Sequence, residues 1–205
     1  MEEKKYIDDL KDIKDIMNRS SRFISLSGLS GVFAGIFALT GAFFAYRTVY
    51  VNQDYLGYRQ AILTYESITT LLIIAIATLF PSIIAGILLT SRKVRRDNQR
   101  LWDLQTKRLL INLLIPLTTG GIICLMLLFQ GHIGLIAPLT LIFYGLALVN
   151  ASKYTLSEIR SLGIVEIVIG LIAMYFIGYG LLFWSLGFGI LHIVYGIIMQ
   201  IRHGS

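Results

Sequence analysis

Apolar residues fall in six long runs separated by short polar segments: 23–46, 67–89, 109–129, 133–149, 162–176 and 179–201. A helix rises about 1.5 Å per residue, so roughly 20 mostly apolar residues cross a hydrocarbon core of about 30 Å. The pattern predicts an all-α polytopic membrane protein with six transmembrane helices, the fifth the shortest. The second helix of each successive pair carries a similar stretch, Ile83-Ile84-Ala85-Gly86-Ile87-Leu88-Leu89, Ile142-Phe143-Tyr144-Gly145-Leu146-Ala147-Leu148 and Ile193-Val194-Tyr195-Gly196-Ile197-Ile198-Met199. Each pair is entered by an arginine, Arg22, Arg108 or Arg160. Two readings stand beside each other: three repeated helical hairpins, or apolar helices that share composition by chance.

Composition supports the membrane assignment. The 205 residues are 56% hydrophobic and 15% charged, with a mean hydropathy of +0.73, well beyond a soluble domain. The net charge of +6 sits in a few short stretches, not along a face that would bind nucleic acid. Cys124 is the only cysteine, which excludes a disulfide framework, a cysteine zinc site and a cysteine-ligated iron–sulfur cluster within one chain. No metal site and no cofactor are expected.

The distribution of Lys and Arg sets the expected orientation, because basic residues in short loops are retained on the cytoplasmic side. Sixteen of the 18 fall before span one, between spans two and three, between four and five, or after span six; only Arg47 and Arg59 fall on the other side. Both termini are therefore expected in the cytoplasm, in a cytoplasmic (inner) membrane. An even number of spans requires the same. Residues 1–22 carry six acidic and six basic side chains, so no secretory signal is expected ahead of the first span. Domains follow as a cytoplasmic segment at 1–22, a membrane domain at 23–201 and a tail at 202–205.

Within 1–22, Tyr6, Leu10, Ile13 and Met17 recur at three- and four-residue spacing, one face of an amphipathic helix. Lys4 with Asp8, Lys5 with Asp9, Lys11 with Asp15 and Asp15 with Arg19 stand at i, i+4, each supporting the helix by about 0.2–0.5 kcal/mol. The mixed charge favours docking on the protein over lying among headgroups. The basic loop holding Arg92, Lys93, Arg95, Arg96 and Arg100 is a candidate partner, with anionic headgroups the alternative. Orientation alone also accounts for its charge.

Three two-helix units in about 200 residues, with Gly187-Phe188-Gly189-Ile190-Leu191-His192-Ile193-Val194-Tyr195-Gly196-Ile197 in the last, resemble the HdeD-type acid-resistance membrane proteins. The charged segment 1–22 and the long basic second loop depart from that pattern. The resemblance implies a hairpin architecture and a role in envelope stress; it carries no site residue across.

The first span repeats small residues along two adjoining rows, Ser27, Gly31, Gly35 and Ser30, Ala34, Ala38, Ala42. Such a face lets a neighbouring backbone approach closely, within the chain or across a homo-oligomer seam. Pro81, Pro116 and Pro138 lie inside spans, where a missing donor predicts kinks accommodated by hydroxyls such as Thr118 and Thr119.

Chemistry has to come from the few polar groups at membrane depth, where a charge costs at least about 2.5 kcal/mol. Glu166 on span five and His192 on span six lie about 9 and 14 Å from the cytoplasmic ends of antiparallel neighbours, at about 1.5 Å per residue. A carboxyl and an imidazole at this depth form a proton path or pH-sensitive switch, or a structural pair that fixes the last hairpin. Asn112 and Asn150 lie nearer the ends and would join this network or cap it.

Gly28-Leu29-Ser30-Gly31 resembles the Gly-x-Ser-Gly motif of rhomboid-type intramembrane serine proteases, which would make Ser30 and His192 a dyad. In that family the nucleophile lies on the fourth helix, whereas Ser30 lies on the first, and both residues here belong to the cytoplasmic half. A haem held between two histidines lacks a second histidine at depth, since His132 and His203 lie at helix ends. The sequence favours a non-catalytic membrane protein acting through helix packing or assembly, in envelope stress or sensing, with the lipid bilayer as its partner. A small proton-linked transporter or channel using Glu166 and His192 is the alternative, and the serine hydrolase a distant third.

The orientation has a direct test. On a Cys124→Ser background, Asn52→Cys is expected to react with an impermeant thiol reagent from outside and Asn98→Cys is not; the reverse pattern would overturn it.

Overall fold

The computed structural model describes residues 26–50, 65–97 and 102–203; the amphipathic segment 1–22 and Arg100 lie outside them. The described residues form helices and turns, with no strand. Helix α1 is Gly28–Tyr50, α2 is Tyr65–Arg96 and α3 is Leu104–Phe129. A 3-10 turn, Ile133–Leu135, runs into α4, Ile136–Ala151, and a second, Ser152–Tyr154, leads towards α5, Ser157–Tyr175. The last stretch is one rod in three parts: α6, Gly180–Trp184; a π-helical segment, Ser185–Leu191; and α7, His192–His203.

Five stretches are long and apolar enough to cross a membrane: Gly28–Thr48, Tyr65–Arg96, Leu104–Phe129, Ile133–Tyr154 and Gly180–Arg202. The fifth apolar run of the sequence also forms a helix, α5. Its 19 residues carry Glu158, Arg160 and Glu166, and it falls outside that set. Hydroxyls within the helices bond back to their own backbone: Thr78 Oγ1 donates to the Ile74 carbonyl, Ser82 Oγ to Thr78 and Thr119 Oγ1 to Ile115. This satisfies them without water.

Three expectations drawn from the sequence change here. Arg92, Lys93, Arg95 and Arg96 do not lie in a loop, because α2 continues through Arg96. Its 32 residues span about 48 Å, beyond the core thickness, and cations at a helix C-terminus complement its dipole. Pro138 lies in the first turn of α4, where an amide donor is not needed, so it starts the helix without kinking it. Ser27 precedes α1 and does not sit on its face; its carbonyl accepts from Ser30 Oγ at 2.6 Å.

Contacts between helix ends collect several segments at one end of the bundle. Lys93 Nζ donates to the Leu26 carbonyl at 3.3 Å, Asn150 Nδ2 to the Asn112 carbonyl at 3.2 Å, and Arg202 pairs with Glu158 at 3.3 Å. Helix α1 packs on α2 and on the final rod, α3 on α4, and α4 closely on α5. The turns that reverse the chain use Gly131 at φ 81° and Gly178 at φ 106°, a region costly for other residues.

Glycines mark the closest crossings. A Cβ on Gly31 would stand 3.2 Å from both the Gly196 Cα and the His192 carbonyl, and one on Gly145 would meet the Gly163 carbonyl. The Gly31 and Gly35 row of α1 is thus filled by the last rod. The other row includes the buried Ala38 and Ala42, and near it Gly41 abuts Thr78 of α2. Gly86, aligned with Gly145 and Gly196 in the sequence, has nothing within 4 Å of such a Cβ, so the three positions are not equivalent in packing.

These contacts predict a graded response. Gly31→Leu and Gly145→Leu, which force bulk against backbone, should lower thermal stability in detergent by about 1–3 kcal/mol or more. Gly86→Leu and the half-exposed Ile36→Leu should change it little. Equal losses at all four positions would contradict the assignment of close crossings.

Candidate functional site

The π-helical segment organises the polar centre. Its wider turn sets the Gly187 carbonyl 3.0 Å from His192 Nδ1, five residues on; such bulges are frequent at functional sites. Trp184, Phe188 and His192 then share one face of the rod, with ring centroids 4.9 Å apart for the first pair and 5.7 Å for the second. Tyr144 of α4 closes against this stack, 4.9 Å from Phe188 and 5.3 Å from His192. Its hydroxyl lies 2.7 Å from His192 Nε2.

Glu166 enters from α5 and is wholly buried, at 0% exposure. Its Oε1 lies 3.5 Å from His192 Nδ1, yet neither carboxyl oxygen has a hydrogen-bond partner. The two facts are compatible. The Nδ1–H points at the Gly187 carbonyl, leaving the carboxyl an electrostatic neighbour without a shared hydrogen. A carbonyl only accepts, so Nδ1 carries the hydrogen; in the neutral ring Nε2 then accepts from the Tyr144 hydroxyl. A side chain on Gly187 would collide with Glu166 Oε2 and with the fully buried Leu141, so the glycine makes the space in which the carboxyl sits.

The structure brings Glu166 and His192 together and adds Tyr144 and Gly187, which the sequence reading did not single out. Tyr144 was visible only as part of the Ile142-Phe143-Tyr144-Gly145 repeat motif. A phenol hydroxyl in the middle of a span whose side chains are nearly all apolar is the signal that marks it.

Asn112 and Asn150 do not join this centre. Asn112 Nδ2 donates to Arg108 in its own helix. Asn150 donates to the Asn112 carbonyl, the one that Pro116, four residues on and lacking an N–H, leaves without its helical donor. The pair therefore repairs α3 from α4. Ser30 does not meet the imidazole either: its hydroxyl donates to Ser27, while both His192 nitrogens face other groups. Among the described residues no three His, Cys, Asp or Glu side chains are grouped to hold a metal.

No family model matches the chain, and comparison with curated proteins and with solved structures returns no similar protein.

The asparagine assignment predicts that Asn150→Leu lowers stability in detergent by about 0.6–2 kcal/mol, the range for a hydrogen bond between membrane helices. Adding Pro116→Ala, which restores the backbone donor, should recover much of that loss. Strict additivity in the double-mutant cycle would show that Asn150 acts elsewhere.

Proposed function

We propose that the chain is a non-catalytic, proton-responsive membrane protein. In this reading six helices, paired as three hairpins, cross a cytoplasmic membrane with both termini inside. Protonation of the Glu166–His192 pair then decides how firmly the last rod seats against α4 and α5. The observation that carries it is the Glu166 carboxyl, fully buried without a hydrogen-bond partner. A group in that position changes its energy greatly when it gains or loses a proton, since an ionised carboxylate out of water is far costlier than a neutral acid. It also lies where rearrangement would be felt, since the Gly145–Gly163 crossing fixes α4 on α5 and the Gly31–Gly196 crossing fixes the rod on α1.

The orientation agrees with the coincidence of helix ends near Leu26, Lys93, Asn112, Glu158 and Arg202, with the membrane-facing surface left to lipid. The exposed cationic ends, such as Arg92, Arg95 and Arg96, suit anionic headgroups. Assembly into a homo-oligomer would use faces other than Gly31 and Gly35, which the last rod already fills. A role in sensing acidification follows from a proton-gated packing change.

A second reading, proton-linked transport, is favoured by the same unpartnered carboxyl oxygens. The two separate experimentally. For the sensing reading, the bilayer-reconstituted protein should show a thermal stability that depends on pH, a dependence largely lost in Glu166→Gln, which keeps the shape and removes the ionisable group. The liposomes should carry no pH-driven flux. Flux that Glu166→Gln abolishes would favour transport, and a pH profile unchanged by Glu166→Gln would remove both.

A further inference from the structure

The centre contains a third group whose position has a consequence for where a proton can bind. The titratable groups facing His192 are Glu166 from α5 and Tyr144 from α4. From α1 the backbone of Gly31 and Gly35 and the apolar side chain of Leu39 lie against this part of the rod. Along the rod its neighbours are Phe188 and the Gly187 carbonyl. The Gly187 carbonyl requires a hydrogen on Nδ1, which leaves two possible rings. In the neutral one, Nε2 accepts from Tyr144. In the imidazolium, Nε2–H would donate to the phenol oxygen, and the phenol hydrogen would need another acceptor. The hydroxyl's hydrogen bond in this structure is with His192. A displaced phenol hydrogen would thus lose the one hydrogen bond this structure gives it, which is costly where no water replaces it.

We propose that Tyr144 is the positioning residue that assigns the proton of this centre: its hydrogen bond holds His192 as the neutral Nδ1–H tautomer and leaves the Glu166 carboxylate as the acceptor. The step balances simply. A proton adds to a carboxylate oxygen of Glu166 to give the neutral acid, with no bond in His192 or Tyr144 made or broken. The acid hydrogen has no acceptor in this structure either, but neutralising Glu166 removes a buried charge whereas an imidazolium adds one. Both Glu166 oxygens have the lone pairs free for it, whereas Nε2 has its lone pair engaged. The inference rests on the proton-responsive reading for its importance and on the hydrogen bonds alone for its truth.

Nitrogen-15 spectra of the full chain, labelled at histidine and reconstituted in lipid bilayers, test it. Signals of His192 are identified by their loss in His192→Gln, which separates them from His132 and His203. The wild-type protein should show one protonated and one bare ring nitrogen, the bare one being Nε2, throughout the pH range in which its stability changes. Tyr144→Phe retains the ring that packs on Phe188 and His192 and frees Nε2. In the acidic part of that range it should show both nitrogens protonated. Wild-type His192 as imidazolium, or as the Nε2–H tautomer, would overturn the proposal even if the variant failed to fold. So would a folded Tyr144→Phe protein with an unchanged His192 spectrum. The carboxylic-acid infrared band lost in Glu166→Gln reports the underlying reading separately. Its absence from wild type at every pH would end the proton-responsive function and the role proposed for Glu166, while leaving the tautomer to be judged by the nitrogen spectra.

Discussion

Inside an apolar bundle no water is at hand for a polar group, and each must be answered by another part of the protein. The described residues meet that demand by two routes. Hydroxyls such as Thr78 and Ser82 turn back onto their own helix, while Asn150, Tyr144 and His192 reach out to carbonyls or rings beyond their own turn. Glu166 is the exception, with both carboxyl oxygens left over. Its burial depends on Gly187, since a side chain there would occupy its place, and the Gly187 carbonyl depends in turn on the π-helical turn that aims it at the imidazole.

The same constraint shapes the packing. Lipid offers helices no hydrophobic contrast, so close approach of backbones is what holds them, and glycines allow it where α1 meets the last rod and where α4 meets α5. These two seams support opposite sides of the centre: one fixes the rod that carries His192, the other fixes the helices that carry Tyr144 and Glu166. Helix α2 makes its contacts with α1 and presents a largely apolar outer face, which makes it peripheral to the chemistry.

How much of this was legible in the sequence depended on how local the determining physics is. Apolar runs announce helices because hydropathy and length act residue by residue, and five stretches meet the membrane requirement directly. Glu158, Arg160 and Glu166 make α5 the ambiguous one. Rows of small residues announced a packing face, yet could not say which helix would fill it; that answer required Gly189, Gly196 and the His192 carbonyl to arrive from the far end of the chain. The aligned glycines misled for the same reason, since Gly86 and Gly145 share a motif and differ in whether a neighbour lies against them.

The sequence by itself determined the helical, apolar character of the chain, the placement of its cations and the presence of two ionisable groups at comparable depth, because each follows from composition and a rise of about 1.5 Å per residue. Only the tertiary structure decided that Asn150 answers the carbonyl exposed by Pro116, that the Tyr144 hydroxyl meets His192 Nε2 and that Glu166 remains without a hydrogen-bond partner. Those outcomes turn on hydrogen-bond geometry at distances of about 3 Å between residues far apart in the chain, and that geometry is set by how glycine-lined helices cross.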